Sequence, residues 1–246
     1  MEPWNYDTSE HLDKTIVERL RQFPREPDML VFGLRSTSAI IIRTWLRTYH
    51  RLSIVGRENL PQEGSYIIVA NHASHLDTLA IIAALPLAKL HRVFPAAAKD
   101  FFFESLPRTA LASILVNALP FDRQAHVRQS LSLCKALLEN PGNILVIYPE
   151  GTRSTTGEIG EFRPGISLLL AGSDLPVVPC CLEGTFRAWP KGARFPRPRK
   201  VRLLIGRPRR YTALKRGKEA AELICHDLRE AVLALAQQGE ETGVRP

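Results

Sequence analysis

Several features that define whole classes of protein are missing from this chain of 246 residues. Its four cysteines form no Cys-x-x-Cys pair, and the adjacent Cys180 and Cys181 would make a strained disulfide. A Gly-x-Ser-x-Gly motif, the nucleophile elbow of α/β-hydrolases, does not occur. These absences argue against a disulfide-stapled secreted protein, a cysteine-based zinc module and a serine hydrolase of this type.

Long apolar runs are also missing. The hydrophobic stretch from Leu79 is broken by Pro86 and Lys89, well short of the roughly 18 residues that span a bilayer. The acidic first residues lack the basic and apolar regions of a secretory signal. We therefore expect a protein that is not exported and does not span a membrane, which leaves open a place on the cytoplasmic face of one as a peripheral or monotopic protein.

Acidic residues are outnumbered, 25 against 33 Lys and Arg, which gives a net charge of +8. Such a charge calls for an acidic partner: nucleic acid, anionic lipid or a phosphorylated substrate. The densest basic stretch, residues 191–218, has only Phe195 and Tyr211 as aromatic neighbours. Nucleic-acid binders usually interleave more aromatic side chains, so we expect no nucleic-acid partner. A non-catalytic basic protein is nevertheless an alternative class.

Residues 29–52 combine apolar side chains with Trp45 and four arginines, a pattern typical of an amphipathic helix. Such a helix either lies in a membrane interface or packs on the core of its own domain. From about residue 53 onward, apolar runs of strand type alternate with helical patterns, which predicts an α/β sheet. We accordingly expect an N-terminal helical segment over 1–52 and one αβ domain over 53–246.

The predicted elements of that domain follow the apolar pattern. Strands are expected at 66–70, 93–97, 144–148, 177–181 and 201–205. Helices are expected at 76–85, 106–117, 125–139 and 218–237.

The first chemically suggestive segment runs from Asn71 to Asp77, where a buried strand ends and a helix begins. In open α/β sheets this edge holds ligands. A turn at Ser74 brings the Asp77 carboxylate against one imidazole nitrogen of His72, which fixes the tautomer and leaves the other nitrogen as a general base. These seven residues alone are equally compatible with a structural histidine beside a helix cap.

His72, His75 and Asp77 also resemble part of the His-x-His-x-Asp-His pattern of metallo-hydrolases. Aligned on that pattern, Ala73 and Thr78 stand where two ligands should be. Because a catalytic zinc ion usually has three protein ligands, this mismatch favours a site without metal.

A second polar segment, residues 148–154 (Tyr-Pro-Glu-Gly-Thr-Arg-Ser), follows another buried strand and should open onto the same edge. Gly151 permits a close backbone approach, and Arg153 offers a planar fork for a phosphate. Taken alone, the segment is equally compatible with a tight turn carrying an exposed ion pair. Lys99 and Arg123 are further basic candidates, although an isolated surface cation is usually only solvated.

Together, and in this order, these segments resemble the glycerolipid acyltransferase family, of which lysophosphatidic acid acyltransferases are typical. His72-x-x-x-x-Asp77 is similar to the first block of the family, Phe121-Asp122-Arg123 to the second and residues 148–154 to the third. Residues 178–185 are similar to the fourth, proline-centred block, and the resemblance extends over about residues 54–206. Tyr148 departs from the usual phenylalanine, and the Cys180-Cys181 pair is also unusual.

The resemblance implies a single αβ domain with a central mixed sheet flanked by helices, preceded by a helical membrane-docking segment. It also implies a reaction that uses neither a cofactor nor a metal. His72, oriented by Asp77, would take the proton from the acceptor hydroxyl as that oxygen attacks the thioester of the acyl donor.

The remaining site residues also come from the resemblance. Arg123 and Arg153, with Lys99, would hold the acceptor phosphate. The glycerol site would be shaped by the third block, and the acyl donor would be bordered by the fourth. The substrate-binding residues implied for these two blocks, beyond Arg153, are Glu150, Gly151, Thr152 and Pro179.

The implied function is the transfer of a fatty acyl chain from acyl-CoA or acyl-carrier protein to the free hydroxyl of a lysophospholipid. The preferred acceptor is 1-acyl-glycerol-3-phosphate, which gives phosphatidic acid at an anionic membrane surface. Another lysophospholipid or glycerol 3-phosphate is the alternative acceptor.

Overall fold

The computed structural model describes residues 29–98, 117–121 and 127–241. Within these ranges the chain forms a seven-stranded mixed sheet with helices packed on both faces. This architecture confirms the prediction of one αβ domain with a central mixed sheet flanked by helices.

The bounds of the elements are as follows. The helices are α1 (Met29–Thr48), α2 (Leu76–Ala84), α3 (Val127–Glu139), α4 (Ser167–Leu170), α5 (Thr185–Ala188) and α6 (Lys218–Glu241). The strands are β1 (Ser53–Val55), β2 (Tyr66–Ala70), β3 (Val93–Ala98), β4 (Leu119–Phe121), β5 (Ile144–Ile147), β6 (Val177–Glu183) and β7 (Arg202–Ile205).

The order of strands across the sheet is β1-β7-β6-β2-β5-β3-β4. Neighbouring strands run parallel except for the antiparallel pair β6 and β7. The central strand β2 is buried over its whole length, as expected for a parallel strand covered on both faces. Because β2 and β5 are parallel neighbours, the segments that follow them emerge at the same edge of the sheet.

Two hydrophobic layers cover the sheet. Ile68 belongs to the layer formed with α1 and α2, whereas Ile67 and Val69 belong to the layer formed with α3, α4 and α6. This alternation follows from the two-residue period of a strand. The α1 face of the sheet is also the face on which Tyr148 lies.

Helix α1 is fixed to the domain partly by the arginines that suggested a membrane interface. The Arg35 side chain is buried and donates from Nη2 to Asn117 Oδ1 at 3.1 Å, and burial lowers its pKa to about 10. Arg43 donates to the carbonyls of Ile82 and Leu85, which lie at the C-terminal end of α2. These two cations therefore hold α1 against its own domain.

The other face of α1 is exposed and carries several apolar side chains among threonines. Its exposed apolar side chains are Met29, Phe32, Leu34, Ile40 and Ile41. Trp45, by contrast, packs against the core beside Tyr49. None of the helices in the described ranges is long and apolar enough to cross a membrane.

Most predicted elements lie within a few residues of the observed ones, but two short strands were not predicted. β1 and β4 have three residues each, too few to show a two-residue alternation. The predicted helix over 106–117 falls outside the described residues except for Asn117, which has a left-handed φ of 52° and is not helical. Residues 1–28 also lie outside the described ranges.

Candidate active site

His72 lies in the five-residue loop between the end of β2 and the start of α2. Its Nδ1 atom is 2.9 Å from Asp77 Oδ2. The Asp77 side chain is fully buried, while 21% of the His72 side chain is exposed. With Nδ1 engaged by the carboxylate, Nε2 is the ring nitrogen left for an outside partner. The contact expected from the sequence is therefore present.

The same carboxylate oxygen organises the loop that carries His72. Asp77 Oδ2 also accepts hydrogen bonds from the backbone N–H groups of Ala73 and Ser74, each at 2.7 Å. Asp77 belongs to the first turn of α2, where unpaired N–H groups favour a negative charge. The sequence folds this way because a single buried anion satisfies two loop amides and orients the imidazole.

Tyr148 forms one wall of the site and was not assigned a role from the sequence. Its ring stacks on the His72 ring with a centroid distance of 4.0 Å and an interplanar angle of 14°. The Tyr148 hydroxyl is 2.8 Å from Thr78 Oγ1, and burial raises the pKa of Tyr148 well above its usual value. A neutral phenol thus limits the movement of the imidazole. Because Tyr148 directly follows β5, the sequence indicated that it lies at this edge of the sheet.

Glu150 joins the loop after β5 to the loop that carries His72. Its Oε1 accepts the backbone N–H of His72 at 2.8 Å, and its Oε2 accepts that of Gly160 at 3.2 Å. Burial raises the pKa of this carboxyl, while the two backbone donors lower it. Ser154 N donates to the His72 carbonyl at 2.7 Å, which adds a second link between the loops.

Gly151 occupies a position that only glycine tolerates well. Its φ is 72°, and a Cβ atom there would lie 2.8 Å from Arg163 Nε. Arg163 in turn donates from Nε to the Glu150 carbonyl at 3.2 Å, and its backbone N–H donates to the Pro149 carbonyl at 2.9 Å. The segment around Arg163 therefore supports the turn from behind.

Arg153 lies against His75. Its Nη1 donates to His75 Nε2 at 2.5 Å. His75 is half-buried, and desolvation, with Arg153 as a second cause, lowers its pKa to about 4. A neutral imidazole is the form that can accept from a guanidinium. Thr152, the preceding residue, is exposed.

Asn71 and Ser74, for which the sequence predicted no contact with other strands, tie the site to β6 and to the segment after it. Asn71 donates to the Leu182 carbonyl at 3.0 Å and accepts from the Leu182 N–H at 2.8 Å. Ser74 Oγ donates to the Trp189 carbonyl at 2.7 Å, and Trp189 packs 5.4 Å from the His75 ring. Both side chains belong to the same loop as His72. That position was the only indication in the sequence that they lie at the site.

Pro179 is not brought to the His72 edge. It is buried inside β6, opposite Val69 of β2. Strand alternation puts it with Val177 and Cys181, on the face opposite that of Tyr148. Lys99 and Arg123 lie outside the described residues.

The cysteines of β6 face the two cores. Cys180 and Cys181 are free and buried, and burial raises the pKa of the Cys181 thiol to about 12. The pKa of Cys180 is raised as well, for the same reason. Thiols in this state are poor nucleophiles. Within the described ranges, no group of three or more His, Cys, Asp and Glu side chains is arranged to hold a metal ion.

The fold and this edge are those of an acyltransferase domain. The sequence pattern that defines the Acyltransferase family matches residues 51–183, which include His72, Asp77 and the segment 148–154. This chain belongs to that family.

Among known proteins, the chain is 27% identical over 188 residues to a chloroplastic 1-acyl-sn-glycerol-3-phosphate acyltransferase of Arabidopsis thaliana, covering 75% of this chain and 49% of the relative. It is 30% identical over 190 residues to a 1-acyl-sn-glycerol-3-phosphate acyltransferase of Chlamydomonas reinhardtii, covering 75% and 52%. The chain therefore spans about half the length of these curated relatives.

A solved structure shares the fold. The crystal structure of the 1-acyl-sn-glycerophosphate (LPA) acyltransferase PlsC from Thermotoga maritima superimposes with a TM-score of 0.64. The alignment covers 83% of this chain and 79% of that one, at 22% sequence identity.

Proposed function

We propose that this protein transfers a fatty acyl chain from acyl-CoA or acyl-carrier protein to the free hydroxyl of 1-acyl-glycerol-3-phosphate, giving phosphatidic acid. The observation that carries the proposal is the contact between His72 Nδ1 and the fully buried Asp77 carboxylate at the open edge of the sheet. The relatives named as 1-acyl-sn-glycerol-3-phosphate acyltransferases support the choice of acceptor.

In the proposed reaction His72 Nε2 takes the proton of the acceptor hydroxyl while that oxygen attacks the carbonyl carbon of the thioester. The new C–O bond forms first, and the C–S bond then breaks. The departing thiolate takes the proton back from the imidazolium, so the products are an ester and a free thiol. Asp77 stabilises the imidazolium between these two steps, as a buried carboxylate does for histidine bases in other enzymes.

The acceptor phosphate is proposed to bind Arg153, together with Lys99 and Arg123. A guanidinium binds phosphate oxygens through two parallel hydrogen bonds. The hydrogen bond from Arg153 to neutral His75 occupies one of its N–H groups and limits the rotation of the fork. His75 is therefore a positioning residue for Arg153 in this proposal.

The third block is proposed to shape the glycerol site through its backbone. Both carboxylate oxygens of Glu150 are occupied by backbone N–H groups, so its contribution is to hold the loop that borders His72. Gly151 allows the turn that presents Thr152 and Arg153.

We further propose that the protein works at the cytoplasmic face of an anionic membrane, with α1 as a docking element. The apolar side chains of Leu34, Ile40 and Ile41 are exposed although the opposite face of α1 is packed on the domain. A helix that directs several apolar side chains outward is suited to the interface between headgroups and acyl chains.

A direct assay tests the reaction. Radiolabelled acyl-CoA and acyl-carrier protein are each offered with 1-acyl-glycerol-3-phosphate, with a neutral-headgroup lysophospholipid and with glycerol 3-phosphate, and the lipid products are separated. Label in phosphatidic acid supports the proposal. If another product is labelled more strongly, the acceptor of that product would replace 1-acyl-glycerol-3-phosphate in the proposed reaction. No labelled product from any pair, together with salt-dependent retention on DNA, would indicate the non-catalytic alternative.

A further inference from the structure

The basic loop, residues 190–200, has no role in the proposed reaction. No Asp or Glu occurs from Gly184 to Lys218. The cationic side chains of the loop are all exposed: Lys191, Arg194, Arg197, Arg199 and Lys200. None of them forms an ion pair with a described residue. Other arginines of the same stretch are paired, for example Arg202 with Glu183 and Arg209 with Asp227.

An apolar side chain stands among these cations. Phe195 is 70% exposed, and the guanidinium of Arg194 lies 5.4 Å from its ring centroid. Pro196 and Pro198 restrict the backbone on its C-terminal side. A phenylalanine held in water by a stiff, cationic segment is suited to enter an apolar phase behind a layer of negative charge.

The basic loop is anchored between α1 and the candidate active site. Tyr49, just after α1, donates from its hydroxyl to the Pro196 carbonyl at 3.2 Å, and His50 Nδ1 lies 3.2 Å from the Arg199 carbonyl. At the other end, Pro190 forms a β-bridge with Ser74 of the His72 loop. The loop thus adjoins both the site and the docking helix.

The C-terminal end of α1 leads to the basic loop. Ile41 precedes Tyr49 by eight residues, which corresponds to about 12 Å along a helix. The exposed isoleucines of α1 and the exposed Phe195 therefore lie on neighbouring elements joined by hydrogen bonds.

We propose that the basic loop is an electrostatic membrane anchor, with five cations that bind anionic headgroups and Phe195 inserted among the acyl chains. Together with α1 it holds the opening beside His72 against the bilayer. The proposal goes beyond the reaction. It rests on the proposed function only because that function gives the reason for docking, namely that the acceptor resides in the membrane. Nucleic acid is a poorer partner, because one exposed phenylalanine does not make a stacking surface.

A charge-matched pair of variants tests this proposal. In the loop variant, Lys191, Arg194 and Lys200 become Gln. In the control variant, Lys215, Arg216 and Lys218, which are also exposed and lie just before or at the start of α6 on the opposite face of the sheet, become Gln. Both variants lose two lysines and one arginine, so their net charges are identical.

Sedimentation with vesicles measures binding. On vesicles of equal parts phosphatidylcholine and phosphatidylglycerol, the loop variant should bind roughly a hundredfold more weakly than the wild type, at about fivefold for each cation near an anionic surface. The control variant should bind nearly as well as the wild type. All three proteins should bind weakly and equally to vesicles of phosphatidylcholine alone.

A second pair tests the apolar contact. Phe195→Ala should weaken binding to the anionic vesicles about tenfold. Leu223→Ala, at a side chain of α6 that is 51% exposed, should leave it unchanged. Thermal unfolding checks that each variant is folded.

The outcomes separate the alternatives. Equal weakening in the loop and control variants would mean that net charge alone drives binding, and undiminished binding of the loop variant would exclude the loop as the contact. If the wild type binds duplex DNA and not the vesicles, and the loop variant loses that binding, the loop is a nucleic-acid site. The binding assay needs no acyl transfer, so failure of the proposed reaction would not affect its result.

Discussion

The His72 loop and the basic loop are neighbours joined by the contact of Ser74 with Trp189 and Pro190, yet they are built in opposite ways. In the His72 loop the imidazole and two backbone N–H groups are fixed by one side chain, because Asp77 accepts three hydrogen bonds through Oδ2. In the basic loop the backbone is anchored while the cationic side chains are exposed.

The difference reflects two kinds of work. Proton transfer depends on the position of a single nitrogen, so its surroundings must be rigid and buried. Attraction to an anionic surface depends on the sum of several charges, so each cation contributes a similar, modest amount and no fixed geometry is needed. Substitutions in the first region should therefore have large, residue-specific effects, and those in the second small, additive ones.

His72→Ala should produce the largest effect. General-base assistance contributes up to about 10⁴-fold, and an alcohol is a weak nucleophile without it. We expect acyl transfer to fall by that factor while thermal stability and vesicle binding stay close to those of the wild type. Loss of rate without loss of vesicle binding would support the separation of the two regions. A variant that retains the wild-type rate would remove His72 from the proposed mechanism.

Asp77→Asn should lower the rate by roughly 10²- to 10³-fold, because an amide permits the wrong imidazole tautomer and does not stabilise the imidazolium. The uncharged amide also replaces an anion that accepts two loop N–H groups. The kcat and the melting temperature are measured together. A fall in rate that is fully explained by unfolding would leave Asp77 with a structural role only.

Arg153→Ala should raise the KM for the acceptor about 10- to 100-fold, the effect of losing a charge-assisted hydrogen bond. The KM for the acyl donor serves as the internal control and should change little. Arg153→Lys should restore part of the acceptor affinity, since it keeps the charge and loses the planar fork. Equal increases in both KM values would show that Arg153 shapes the whole cleft.

Replacing both Ile40 and Ile41 with Gln should weaken vesicle binding about tenfold, because it removes exposed apolar area from α1. Deleting the whole helix would be a poorer test, since Leu46 and Ala39 are part of the core. An active site that is intact should give the same KM as the wild type for a water-soluble, short-chain acceptor, and this is measured as a control. Unchanged binding would show that α1 is not a docking element.

His75→Ala should have the smallest effect, raising the acceptor KM about two- to tenfold with little change in kcat, because one hydrogen bond to Arg153 is lost. His75→Asn, which keeps an acceptor, should recover part of it. If His75→Ala were as damaging as His72→Ala and added zinc restored activity, the metal alternative would be favoured. Activity should otherwise survive a strong chelator.

The lowered pKa of His75 adds a pH test. Its folded pKa of about 4 lies below the usual 6.5, so the unfolded chain binds more protons between these values. The stability of the wild type should therefore decrease as the pH falls from 6.5 to 4. Subtracting the same curve for His75→Asn isolates this residue from His50 and His91, whose pKa values are also lowered. A difference that does not change with pH would contradict the half-buried, neutral state of His75.

Much of the fold and the central pair of the site could be predicted from the sequence. The run Tyr66–Ala70 is apolar throughout and rich in β-branched residues, which favours a strand covered on both faces, and the segment that follows such a strand must lie at the sheet edge. The five-residue separation of His72 and Asp77 is short enough for a single turn to join them. Such predictions depend only on residues that are close together in the sequence.

Long-range contacts decided the rest. The stacking of Tyr148 on His72 and the hydrogen bond between Arg153 and His75 join residues more than 70 positions apart, and only the pairing of β2 with β5 brings them together. In the sequence Arg35 and Arg43 were indistinguishable from solvated cations. In the structure Arg35 donates to Asn117 and Arg43 to the Ile82 carbonyl, both inside the domain.

What the sequence alone determined is the five longer strands, the edge where they end and the histidine and aspartate at that edge, because apolar periodicity and short loops act locally. Tertiary structure alone decided which neighbours immobilise that histidine, that Pro179 faces away from it, and that the basic loop lies beside it. Those outcomes depend on strand order and register, which a one-dimensional pattern does not specify.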